Sequence, residues 1–153
     1  MKRIALALVL IISVTALFAQ DKSAKDFKIE AAEAYKAKDY QTGLSSFEKA
    51  IQLYEADGKI DTTLYYNAAI CAIKVKDYQK AAGYFDRSVE LGYKPCKSKL
   101  YKANAQKGLD DYDAMVATCN EGLQSCPKYK SKFNDLLFQY YPMSGLEVFN
   151  NAA

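Results

Sequence analysis

The chain is 153 residues long and carries 21 Lys and Arg against 18 Asp and Glu, with not one histidine. That length suits one domain with a buried core, and the near balance of charge argues against a nucleic-acid binder, which would be more basic and would cluster its cations. The missing histidine removes the usual general base, the Ser-His and Cys-His nucleophile pairs and the commonest metal ligand.

The chain opens with MKRIALALVLIISVTALFAQ, in which Lys2 and Arg3 precede an apolar run from Ile4 to Ile12 and small residues follow around Ala16 and Ala19. This is the layout of a secretory signal peptide. The run is shorter than the roughly 20 apolar residues of a membrane span, and no cysteine closes it to accept a lipid. Residues 1–20 are therefore expected to be a cleaved signal, an uncleaved amino-terminal anchor being the alternative. The mature chain is expected to be exported, periplasmic or secreted, without stable membrane insertion. No Asn begins an N-x-Ser/Thr acceptor, which fits a bacterial envelope better than a eukaryotic secretory route.

Next come two nearly identical stretches, KAKDYQTGLSSFEKAI from Lys36 and KVKDYQKAAGYFDRSV from Lys74. The pair Asp39-Tyr40 returns as Asp77-Tyr78 and again as Asp111-Tyr112, a spacing in the range of solenoid repeats. Each unit reads as helix, tight turn, helix. In the second, Leu64, Ala68, Ala69, Ala72 and Val75 fall on one helical face and Ala81, Phe85, Ser88 and Val89 on another. One such hairpin cannot bury its own apolar face, whereas three stacked side by side build a continuous core.

The stretch YYNAAICAIKVKDYQKAAGYFDRSVELGY, Tyr65 to Tyr93, resembles a tetratricopeptide repeat, and Phe27 to Glu55 and Cys96 to Pro127 resemble it less closely. The third stretch departs at Met115 and Cys119, where the family favours Ala and an aromatic, and KGLDDY reads as holding a one-residue insertion. The resemblance implies an all-α, right-handed α-solenoid of about three helix-turn-helix units over residues 21–127 (24–57, 62–94 and 96–127). Residues 128–153 are expected to supply a capping helix or an incomplete fourth repeat. It also implies a non-catalytic interaction module that holds a protein or peptide in a concave groove lined by the first helix of each unit. Carried over by position, that groove shows Lys28, Tyr35 and Lys36, then Tyr66, Asn67, Ile70 and Lys74, then Lys97, Leu100, Tyr101 and Asn104. Cations flank an aromatic and aliphatic floor, which suits a peptide of acidic or carboxyl-terminal character with a few apolar anchors. Some members of the family clamp a terminal carboxylate with paired Lys and Asn. Here Ala32 and Tyr101 interrupt that set, so chaperone binding by that route is not implied. Self-association through the repeat ends is the alternative use of the same architecture.

Chemistry is sparse. No Walker or G-x-G-x-x-G loop is present. Ser-x-x-Lys occurs at Ser46 with Lys49 and at Ser125 with Lys128, both on second helices and without companion motifs, so chance accounts for them. No catalytic residue, cofactor or metal is expected. Four cysteines lack any C-x-x-C pair, which disfavours zinc. Cys96 is expected to open the first helix of the third unit and Cys126 to close its second, and those ends are neighbours in an antiparallel hairpin. A Cys96–Cys126 disulfide is thus the expected pairing, with Cys71 and Cys119 as small buried hydrophobes.

Overall fold

A computed structural model describes residues 22–140; the expected signal peptide and the segment 141–153 lie outside the described residues. Seven α-helices follow one another there: α1 (Ala24–Lys36), α2 (Tyr40–Ala56), α3 (Thr62–Lys74), α4 (Tyr78–Glu90), α5 (Pro95–Gly108), α6 (Tyr112–Ser125) and, after a 3₁₀ turn at Pro127–Tyr129, α7 (Lys130–Tyr140). Each helix packs chiefly on those adjacent to it in sequence, and α7 touches both α6 and α5. The result is an all-α solenoid of helix-turn-helix units.

The Asp-Tyr pairs mark a backbone device used three times. Lys38 stands at φ 63°, Lys76 at φ 63° and Asp110 at φ 57°, the left-handed region that ends a helix. The next residue's N–H reaches back five places: Asp39 to the Ala34 carbonyl, Asp77 to Ala72 and Asp111 to Gln106, at 2.9, 2.9 and 3.0 Å. The same aspartate then caps the following helix, its carboxylate accepting from the N–H of Thr42, Lys80 or Ala114. One residue thus closes one helix and opens the next, which fixes the hairpin. The left-handed backbone costs an L-residue about 1–2 kcal/mol, partly offset in glycine by greater unfolded-state freedom. Lys76→Gly is accordingly expected to stabilise the chain by about 0.5–1 kcal/mol, read as a higher urea midpoint at unchanged slope.

Counting from these caps settles the register of the third unit. Ala31, Ala69 and Ala103 each stand eight residues ahead of the capping Asp and are fully buried. No insertion therefore lies between Ala103 and Asp111; the extra residue sits at the start of α5, which has 14 residues where α1 and α3 have 13. Met115 and Cys119 hold the places of Ala81 and Phe85 and are likewise fully buried.

The third unit's substitutions make sense once α7 is in place. Cys119 leaves the space that Phe47 and Phe85 fill elsewhere, and Phe133 from α7 joins Met115 and Cys119 in one buried cluster. Gly122 admits that ring, since a Cβ built there would meet Phe133 at 2.3 Å. Gly122→Ala is expected to cost about 1–3 kcal/mol by overpacking and to speed amide exchange in α7 ahead of the other helices.

Candidate interaction groove

Counting back from the capping aspartates, the first-helix residues form rows that repeat from unit to unit. Lys28, Tyr66 and Leu100 share one row, Ala32, Ile70 and Asn104 the next, and Tyr35, Ile73 and Lys107 a third. The structure divides the expected groove residues into two groups and adds a third.

The first row is closed to a partner. Tyr66 is only 7% exposed and Leu100 9%. Tyr66 meets Phe85, Tyr93 and Tyr101 edge-on at 5.8, 5.7 and 6.4 Å, while Tyr101 stacks on Phe85 at 5.7 Å. Burial, with the neighbouring tyrosines behind it, pushes the Tyr66 hydroxyl up to about 12. Placing Tyr66 and Leu100 on the groove surface is therefore corrected: they are wall and core, and Tyr66→Ala would probe packing rather than capture. Lys28 is also committed, to an ion pair with Asp61, the cap of α3. Burial raises the Asp61 carboxyl, but hydrogen bonds from Lys28 and Thr63 outweigh it and hold it below the usual carboxylate range.

The second group stays accessible. Asn67, Ile70 and Tyr101 are half-buried, and Tyr35, Lys36, Lys74, Lys97 and Asn104 are exposed. Tyr35 lies edge-on to Tyr40 at 5.6 Å, and the Lys74 ammonium sits 5.9 Å from the Tyr40 ring centre. Asn104 donates through Nδ2 to the Leu100 carbonyl at 2.9 Å, which fixes its side chain along α5.

The third group was missed in the sequence. Lys94, in the loop before α5, has φ 47° and carries its ammonium 4.6 Å from the Tyr66 ring centre and 4.9 Å from that of Tyr93. Its only sequence signal was its place between Tyr93 and Pro95, outside any helical period. Beneath it, Ser88 and Ser98 both donate to the Tyr93 carbonyl, at 2.8 and 3.3 Å, and pin the loop from below.

Cys96, the second residue of α5, and Cys126, the cap of α6, have Cα atoms 5.6 Å apart and are joined by a disulfide. Cys71 and Cys119 are free and buried, and burial pushes both thiols up to about 11, so neither is a ready thiolate. Among the described residues no group of three or more carboxylates and thiols is placed to hold a metal ion, and no helix is long and apolar enough to cross a membrane.

No protein-family model matches the sequence, and no curated protein matches it. Solved structures do. A TPR-repeat protein from Bacteroides fragilis superposes with a TM-score of 0.68 at 21% identity, over 76% of this chain and 52% of that one. This chain thus spans about half the length of that protein. The N-terminal domain of stress-induced protein-1 from C. elegans gives 0.61 at 23% identity, over 74% of this chain and 93% of that one. The TPR domain of Arabidopsis OM64 gives 0.62 at 22%, over 76% and 96%. The fold is that of the tetratricopeptide repeat proteins.

Proposed function

We propose that the protein is a non-catalytic interaction scaffold or adaptor of the bacterial envelope, holding an extended peptide or partner helix along the face of α1, α3 and α5. One observation carries this reading. Lys36, Lys74 and Lys97 stand exposed along that face, none with a carboxylate partner among the described residues, around a half-buried floor of Asn67, Ile70 and Tyr101. Unpaired cations beside apolar surface complement an acidic segment with apolar anchors. The signal-like amino terminus supports export, and the Cys96–Cys126 disulfide suits an oxidising compartment.

A self-assembling module is the second reading, favoured by Phe138, which is 48% exposed on α7. In-cell photocrosslinking separates the two. Reactive residues placed at Ile70 and Asn104 should capture one recurring foreign protein, and capture should fall when Lys74 and Lys97 are both replaced by Glu. Crosslinks only to other copies of the chain would overturn the adaptor reading and support assembly.

A further inference from the structure

A hollow of about 310 Å³ opens between α5, α6 and α7, lined by Lys107, Tyr112, Met115, Leu136, Gln139 and Tyr140. We infer that it is an anchor subsite of the groove, taking one aliphatic or aromatic side chain of an acidic partner segment. The inference rests on the groove reading above and adds to it the position and chemistry of one contact.

The lining defines the occupant. Met115 is fully buried and Leu136 is 6% exposed, so they close the base of the hollow, and the apolar surface open to an occupant is that of the half-buried Tyr112 and exposed Tyr140 rings. Tyr112 stacks on Tyr140 with ring centres 4.7 Å apart and planes 15° from parallel, which makes one wall flat and aromatic. The volume is at the small end for ligand sites, the size for a single side chain and too small for a large cofactor. Lys107, whose ammonium donates to Gln139, brings a cation to the lining. It stands in the groove row of Tyr35 and Ile73, which puts this edge of the hollow on the groove face. A corresponding space is closed one unit earlier, where Gly108 lets the Tyr78 ring lie so close to α5 that a Cβ would meet it at 2.7 Å. At the third unit the equivalent Tyr112 stacks on α7 instead, and the hollow remains. An apolar side chain with a carboxylate beside it satisfies both the floor and Lys107.

The test uses the mature chain and fluorescein-labelled eight-residue peptides of Asp, Glu and Ser carrying one central Leu or Ala, read by anisotropy at low salt. The Leu peptide is expected to bind about tenfold tighter than the Ala peptide. In Gln139→Trp, which fills the mouth from an exposed position, that preference should shrink to less than twofold while Ala-peptide binding persists. Lys107→Glu should weaken both peptides. Equal binding of Leu and Ala peptides to the unaltered chain would overturn the subsite and leave the groove standing. No binding of either would overturn the groove reading itself. Running each peptide as free acid and as amide tells side-chain carboxylates from a terminal one: a Leu preference surviving amidation assigns the former, one lost with it the latter.

Discussion

Replacing Phe85 by Ala is expected to cost about 4 kcal/mol, within the range for truncating a buried aromatic. Phe85 is fully buried at the joint between two cores. One cluster fills the first two units and includes Phe47, Leu64 and Phe85, and the other fills the third unit and α7 around Leu100, Met115 and Phe133. Across the joint Phe85 stacks on Tyr101 of α5 and meets Tyr66 of α3, so its loss removes burial and two aromatic pairs, each worth about 0.5–1.5 kcal/mol beyond area. What remains there is the edge contact of Tyr66 with Tyr101, the Tyr78 ring against Gly108, the Lys102–Asp86 ion pair and the Ser88–Ser98 hydrogen bond, none of which fills the volume of the lost ring. Stability in a solenoid is a sum of unit and nearest-neighbour terms, so the variant should also lose coupling. Urea unfolding should broaden, and amides of α5 to α7 should exchange faster than those of α1 to α3. Phe85→Leu keeps most of the volume and should cost about 1.5 kcal/mol or less. A loss below that in the Ala variant, with one sharp transition kept, would show that the two cores do not depend on this ring.

The architecture was legible because it is periodic. A motif written three times announces its own boundaries, and Leu64, Ala68, Ala69, Ala72, Ala81, Phe85 and Ser88, read from helical spacing, are all buried. The third unit was harder to place, because its departures at Met115 and Cys119 are compensated by the Phe133 ring of α7, which Gly122 admits. No local pattern announces such a compensation. The groove was legible only as a list of positions. Helical period names the residues on a face but not how closely the next unit approaches, and that approach decided the outcome for Tyr66 and Leu100. Tyr66 meets Phe85 of its own hairpin, and Tyr101 from the next unit and Tyr93 and Lys94 from the loop cover what remains of it. Lys28 was read as a groove cation, but its partner Asp61 is 33 residues away and caps a neighbouring helix. These contacts depend on inter-unit geometry, which repeat spacing does not specify.

Removing the Cys96–Cys126 crosslink, by the double change Cys96→Ser with Cys126→Ser or by reduction, is expected to destabilise the third unit by about 3–4 kcal/mol. A bond spanning 30 residues withdraws about that much entropy from the unfolded chain. The effect should be local. Cys126 caps α6 immediately before the turn into α7, and Cys96 lies in the first turn of α5, whose cap residue Lys94 makes no side-chain hydrogen bond to it. The crosslink therefore holds together one helix start without a side-chain cap and the root of the helix that supplies Phe133. The first two units have no comparable dependence, since α1 to α4 carry side-chain caps and their own aromatic core residues. Hydrogen exchange of the double variant should show α6 and α7 opening first while α1 to α3 keep their protection. The same variant should lose whatever contact the hollow beside Tyr112 and Leu136 makes, because α7 forms part of it. Uniform loss of protection along the whole chain would instead mean that the units unfold as one body. The disulfide would then stabilise the entire solenoid and not its last unit.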